Sequence, residues 1–354
     1  MSVASAGAAI DPARSAAQPN GLERTVAWSR QWSVEFPVCL ANHLPMVLVA
    51  LHRMGANDDR LEAYCRVYNG ANGLVPVPAP IGEINRKNWR DFLGQREREG
   101  DYRAFFAGEV ARLGGTQAAI FYLPLLFGGF AASALHAFMR MAYATFTDSD
   151  EETGVALAYW AATYLPLGDP QGRPPSTDDP AEVLAYMYGP ATFRHVETER
   201  DLLWHFMRAV AQMPEFAPVV DMLKIGPETH DRIARLSLAL YASTGDFSAL
   251  HAVTGTHWLR MMAPRTPDAA TPLRYFWQAI AALVPKIGFP DLPSAGQLDE
   301  WRNMHLPDWR EISSEAVRRD DEHDLSLSFS AAEEFKRYGD PLYKYAAAKR
   351  LNLV

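Results

Sequence analysis

The sequence predicts an all-α fold, a single large multi-helical domain, on three observations. Apolar residues recur at helical spacing in one segment after another, the segments carry helix-type caps, and period-2 runs flanked by turn residues are absent. In order, residues 37–56 ("PVCLANHLPMVLVALHRMGA") are apolar around most of a helix and stop at Gly55, a residue suited to a helix end. Residues 100–115 ("GDYRAFFAGEVARLGG") are amphipathic and close on two glycines. Residues 114–138 hold no Lys, Arg, Asp or Glu, long enough for a membrane span. Gln117, Pro124, Gly128–Gly129 and His136 interrupt them and no basic cluster flanks them, so they read as a core helix broken near Pro124 and Gly128. Residues 149–165 open with Ser149 and Glu152 in capping-box spacing. Residues 227–243, 271–288 and 309–339 continue the helical pattern.

Composition narrows the function. Among 354 residues the formal net charge is −8 and no stretch concentrates Lys and Arg, which argues against a nucleic-acid partner. The two cysteines, Cys39 and Cys65, sit in apparent helices beside apolar residues and read as buried thiols, too few for a cysteine-based metal site. Residues 1–22 lack a signal-peptide pattern and read as a flexible, Ala-rich tail on a domain spanning 23–354, with the cytoplasm as the expected compartment. The Pro/Gly-rich stretches 72–83 and 166–180 are too short to require a domain boundary. No G-x-G-x-x-G, P-loop or G-x-S-x-G elbow occurs, so a tightly held NAD(P)H or FAD is not expected.

The histidines carry the chemistry. His43, His136, His251 and His257 lie in apolar helical contexts, and His323 lies where a polar stretch becomes an amphipathic helix. One core histidine is usually satisfied by a backbone carbonyl. Five from four segments are better explained by a shared divalent ion, because unpartnered buried imidazoles each cost a few kcal/mol. His136, Arg140 and Tyr143 fall at i, i+4 and i+7, on one helix face. Arg140 there could hold an anionic group and Tyr143 donate a hydrogen bond, with a buried Arg140 ion pair as the plainer reading. His251 and His257, six residues apart, point about 120° from one another on an ideal helix. They reach one ion only if the helix bends or breaks near Thr254–Gly255–Thr256; otherwise one stands behind the other. Phe138, Tyr143 and Trp258 are expected as aromatic walls for a substrate. His52, His195, His205 and His305 read as surface residues.

"ANHLPMVLVALHRMGA", "LHAFMRMAYA", "LHAVTGTHWLR" and the C-terminal "DWREISSEAVRRDDEHDLSLSFSAAEEFKRYGDPLYKYAAA" together resemble the questin oxidase-like family. Its fungal members open anthraquinone-type rings oxidatively in aromatic polyketide pathways. The blocks occur in family order from about residue 30 to the C-terminus. The resemblance implies an all-helical oxygenase; one view of the family assigns it NADPH, another a non-haem iron centre with histidine ligands and a carboxylated lysine. The absent nucleotide motifs agree better with iron. It also implies that His43, His136, His251, His257 and His323 occupy the family's histidine positions, four on the metal and one behind. The family's C-terminal block reads His-x-x-Lys, whereas here it is His323-Asp324-Leu325-Ser326. The anionic ligand is therefore missing unless Asp321, Glu322 or Asp324 replaces it; Lys336 is far along the same helix.

The expected function is thus a metal-dependent oxygenase, most simply with Fe(II) though another divalent metal fits. It would act with O2 on a small quinone- or polyphenol-like substrate and cleave its ring. Two alternatives follow from the same residues. His230-Asp231 and His323-Asp324 are HD dipeptides, as in HD-type metal phosphohydrolases, and a helical binding protein that has lost the chemistry would also keep a histidine-rich core.

Overall fold

A computed structural model describes residues 20–147 and 149–354. The expected tail lies outside the described residues up to position 19. Its last members do not belong to it: Gly21 and Leu22 open the first helix, because Asn20 and Glu23 form a reciprocal capping box (2.9 and 3.0 Å).

Seventeen α-helices follow, with no strand among the described residues. The N-terminal part holds α1 (Gly21–Ser29), α2 (Leu44–Arg53), α3 (Asp58–Asn72), α4 (Glu99–Leu113), α5 (Gly115–Leu126), α6 (His136–Ala144) and α7 (Asp150–Ala162). The middle holds α8 (Pro180–Tyr186), α9 (Leu203–Ala211), α10 (Val219–Met222), α11 (Thr229–Thr244), α12 (Phe247–Met262) and α13 (Ala270–Ile287). The chain closes with α14 (Ala295–Arg302), α15 (Trp309–Arg318), α16 (Glu322–Tyr338) and α17 (Leu342–Arg350). No described helix is long and apolar enough to cross a membrane. The charge-free segment is α5, carrying Pro124 in its last turn, then a 3-10 turn at Phe127–Gly129.

Four helices organise the molecule. α2 packs on α16, α16 on α12, α12 on α6 and α6 on α2, closing a ring. Their apolar residues interlock from all sides; Leu44, Met46, Val47, Leu48, Trp258, Leu325 and Leu327 are 2% exposed or less.

Two local expectations change. Residues 37–43 are not helical: α2 begins only at Leu44, with Pro45 in its first turn, and Cys39 sits in a turn at φ 61°. Cys39 is half-buried rather than buried, while Cys65 in α3 is buried, and both thiols are free. α12 does not break at Gly255. That glycine instead admits the Phe276 ring of α13, which a Cβ would meet at 2.3 Å.

Candidate metal centre

The ring of helices brings four of the five singled-out histidines to one place. His43 is the N-cap of α2, His136 the first residue of α6, His323 the second of α16, and His251 lies in the second turn of α12. Ring centroids are 4.5 Å apart for His43–His136, 5.1 Å for His43–His323, 5.4 Å for His136–His251 and 6.3 Å for His251–His323. One nitrogen each from His43, His136 and His323 lies within 4.8 Å of the other two.

The outer nitrogens are tied. His43 Nδ1 is 3.0 Å from the Ala41 carbonyl, His136 Nδ1 2.5 Å from that of Ser133, and His251 Nδ1 3.0 Å from that of Phe247. A carbonyl accepts only from N–H, so this geometry assigns the Nδ1–H tautomer to all three and leaves each Nε2 a bare lone pair. Asp321 Oδ1, the N-cap of α16, stands 3.6 Å from His323 Nδ1, while His323 Nε2 is buried and meets no partner. The His323 contact, aided by the cap N–H groups, holds the Asp321 carboxyl well below its usual range. Burial and the neighbouring imidazoles keep His43 and His251 far below the usual histidine value, and burial pulls His136 down to about 4. Neutral imidazoles gathered in one place, three with a nitrogen within 4.8 Å of one another and braced by carbonyls and a carboxylate, fit a divalent transition metal.

A strained turn aims His136. Ser133, Ala134 and Leu135 all have positive φ (48°, 52° and 74°), a conformation costing about 1–2 kcal/mol per non-glycine residue. Nothing in the sequence signals it, since no glycine marks the turn.

Above the cluster opens a cavity of about 340 Å³, ample for a small ring system. His43, His136 and His323 form its floor, and Phe36, Trp204 and Phe247 are its aromatic walls. Glu322 faces it with Oε1 3.4 Å from His43 Nδ1, and the Lys286–Asp201 ion pair stands at its edge.

Several expected site residues lie elsewhere. His257 is not in the cluster: α12 runs unbroken through both histidines, so His257 points away from His251. Its Nδ1 is 3.1 Å from Ser330 Oγ, and its ring packs on Phe329 and Phe146. Arg140 forms the plainer buried ion pair, with Glu152 of α7 at 3.1 Å. Tyr143 packs on Phe146 and Phe329, and Phe138 on Phe130 and Trp258, so Phe138, Tyr143 and Trp258 are core residues and do not line the cavity. His205 is buried against Trp204 rather than at the surface, whereas His52, His195 and His305 are exposed. Of the carboxylates weighed as substitutes for a lysine, Asp321 orients His323 and Asp324 pairs with Arg350 at 2.5 Å, which leaves Glu322 facing the cavity. The HD dipeptides do not share a site. His230 contacts Tyr338, the last residue of α16, whereas His323 starts that helix, roughly 22 Å away along its axis.

A family model described as questin oxidase-like matches residues 40–327, most of the chain. The chain belongs to the questin oxidase-like family. No curated protein matches it. All four clustered histidines of this questin oxidase-like chain lie within the matched residues, as do Trp204, Phe247 and Glu322, while Phe36 precedes them.

Proposed function

We propose that this questin oxidase-like protein is a non-haem metal-dependent oxygenase for a small, flat quinone- or polyphenol-like substrate. His43, His136, His251 and His323 would hold the metal, Fe(II) being the choice that suits oxygen chemistry. The observation that carries the reading is the convergence of imidazoles whose outer nitrogens are already committed. Iron bound there would supply the one-electron chemistry with O2 that amino-acid side chains lack. The chain's own residues do the rest. Phe36, Trp204 and Phe247 clamp a planar ring over the floor, and the Glu322 carboxylate, raised by burial, receives a hydrogen bond from a ring hydroxyl. The apolar walls exclude bulk water. With serine at 326, the carboxylate nearest the cavity floor is Glu322.

Anaerobic loading with Fe(II) tests this. One iron per chain is expected, lost in His43→Ala, His136→Ala, His251→Ala and His323→Ala but retained in His257→Gln. The loaded protein should then consume O2 with hydroxylated anthraquinones or hydroquinones. Uptake that requires NADPH identifies insertion of one oxygen atom, because the second atom needs two further electrons to become water. Aromatic ligands that raise thermal stability in a protein binding no divalent metal would instead identify a binding protein.

A further inference from the structure

The run Ser133–Ala134–Leu135 is strained and its first two residues line the cavity, so something must hold it. The holder is a buried network that runs from Ser133 at the cavity to Glu35, Tyr159 and Arg96 behind it. Ser133 Oγ donates to Glu35 Oε1 and accepts from Tyr159 Oη at 2.8 Å. Glu35 Oε2 accepts from Arg96 Nε at 2.7 Å, and the Arg96 guanidinium lies 4.1 Å from the ring centre of Trp204, a cavity wall. Glu35 is 8% exposed, an expensive place for a carboxylate whose charge serves no surface purpose. What the turn delivers is the Ser133 carbonyl, which takes His136 Nδ1 at 2.5 Å and the His136 backbone N–H at 3.2 Å.

We propose that Glu35 is a positioning residue for His136. Through Ser133 it fixes the left-handed turn whose carbonyl selects the imidazole tautomer and directs Nε2 to the floor of the cavity. The inference rests on the metal reading only for its consequence; the tautomer itself is a property of the metal-free chain. Packing alone would not need this arrangement, since an apolar residue at 35 would fill the space without an ion pair.

Two measurements on the full chain separate the possibilities. In metal-free protein labelled with ¹⁵N-histidine, His136, assigned by loss of its signals in His136→Gln, should show the Nδ1–H tautomer. Glu35→Gln and Ser133→Ala should each shift it toward a mixture, with helical circular dichroism unchanged. With Co(II) as the spectroscopic probe, both variants should bind about 10- to 100-fold more weakly than wild type, with an altered d–d spectrum. Because both act through one turn, the double variant should be no worse than the poorer single one. Arg140→Met, which breaks a buried ion pair outside this network, should lower stability without changing tautomer, affinity or spectrum. A wild-type tautomer in both Glu35→Gln and Ser133→Ala overturns the proposal. A shifted tautomer in a protein that binds no Co(II) upholds it and removes the metal reading instead.

Discussion

His257 sits wholly inside the protein with Nε2 unpartnered, and burial pushes its imidazole down to about 3 from an ordinary 6.5. Above pH 6.5 the side chain is neutral both folded and unfolded, so nothing is lost. Below it the unfolded chain takes a proton that the folded chain refuses, and stability falls until about pH 3. Between pH 7 and pH 5 the wild type should lose about 2 kcal/mol more than His257→Gln, read as the difference between urea-unfolding curves at the two pH values. Equal losses would mean that His257 is hydrated or otherwise charged in the folded state. Much at this scale was legible. The histidines stood out because imidazole in an apolar stretch needs a reason, but whether His251 and His257 share a site stayed open, since a kink at Gly255 would have joined them and the helix does not break there. The partner of Arg140 was not legible, because Glu152 arrives from another helix. Nor were the cavity walls: Phe138 and Trp258 look like Phe36 and Trp204 in sequence, and only packing tells aromatics of the sealed core from those that line a cavity.

α12 shows what one residue without a side chain does for an element. Gly255 costs helix propensity, by about 1 kcal/mol against alanine, yet the helix passes through it unbroken. The return is close approach by α13, whose Phe276 ring is fully buried and has no room to retreat. Gly255→Ala should therefore lower stability by about 2 kcal/mol in urea unfolding despite alanine's better propensity, since overpacking outweighs it. A higher melting temperature would show that α13 yields. Amphipathic helices such as α4, α11 and α13 could be read from periodicity directly. The connections that aim the histidines could not: residues 37–43 are apolar enough to pass for helix, and the turn before His136 uses ordinary L-residues at positive φ.

At the scale of the whole molecule, the site exists because α2, α6, α12 and α16 close on one another. A metal held by one residue from each helix would tie all four together in the folded state alone. Fe(II) at about 100 times its dissociation constant should then add about 2.7 kcal/mol to stability, visible as a raised melting temperature that a chelator reverses. No rise in wild type, with stoichiometric iron bound, would mean that the unfolded chain holds iron equally well. Which helices neighbour one another cannot be read from spacing, and that is why five histidines could be nominated as a set but the four that meet could not be picked out. His43 and His323 stand far apart along the chain, and the contact between α2 and α16 is what brings them together at the cavity. During synthesis, then, His43 must wait through fourteen further helices, until α16 has emerged, before it meets His323. A chain folded only as far as α12 has three of the four imidazoles at most, so the complete cluster marks the docking of α16.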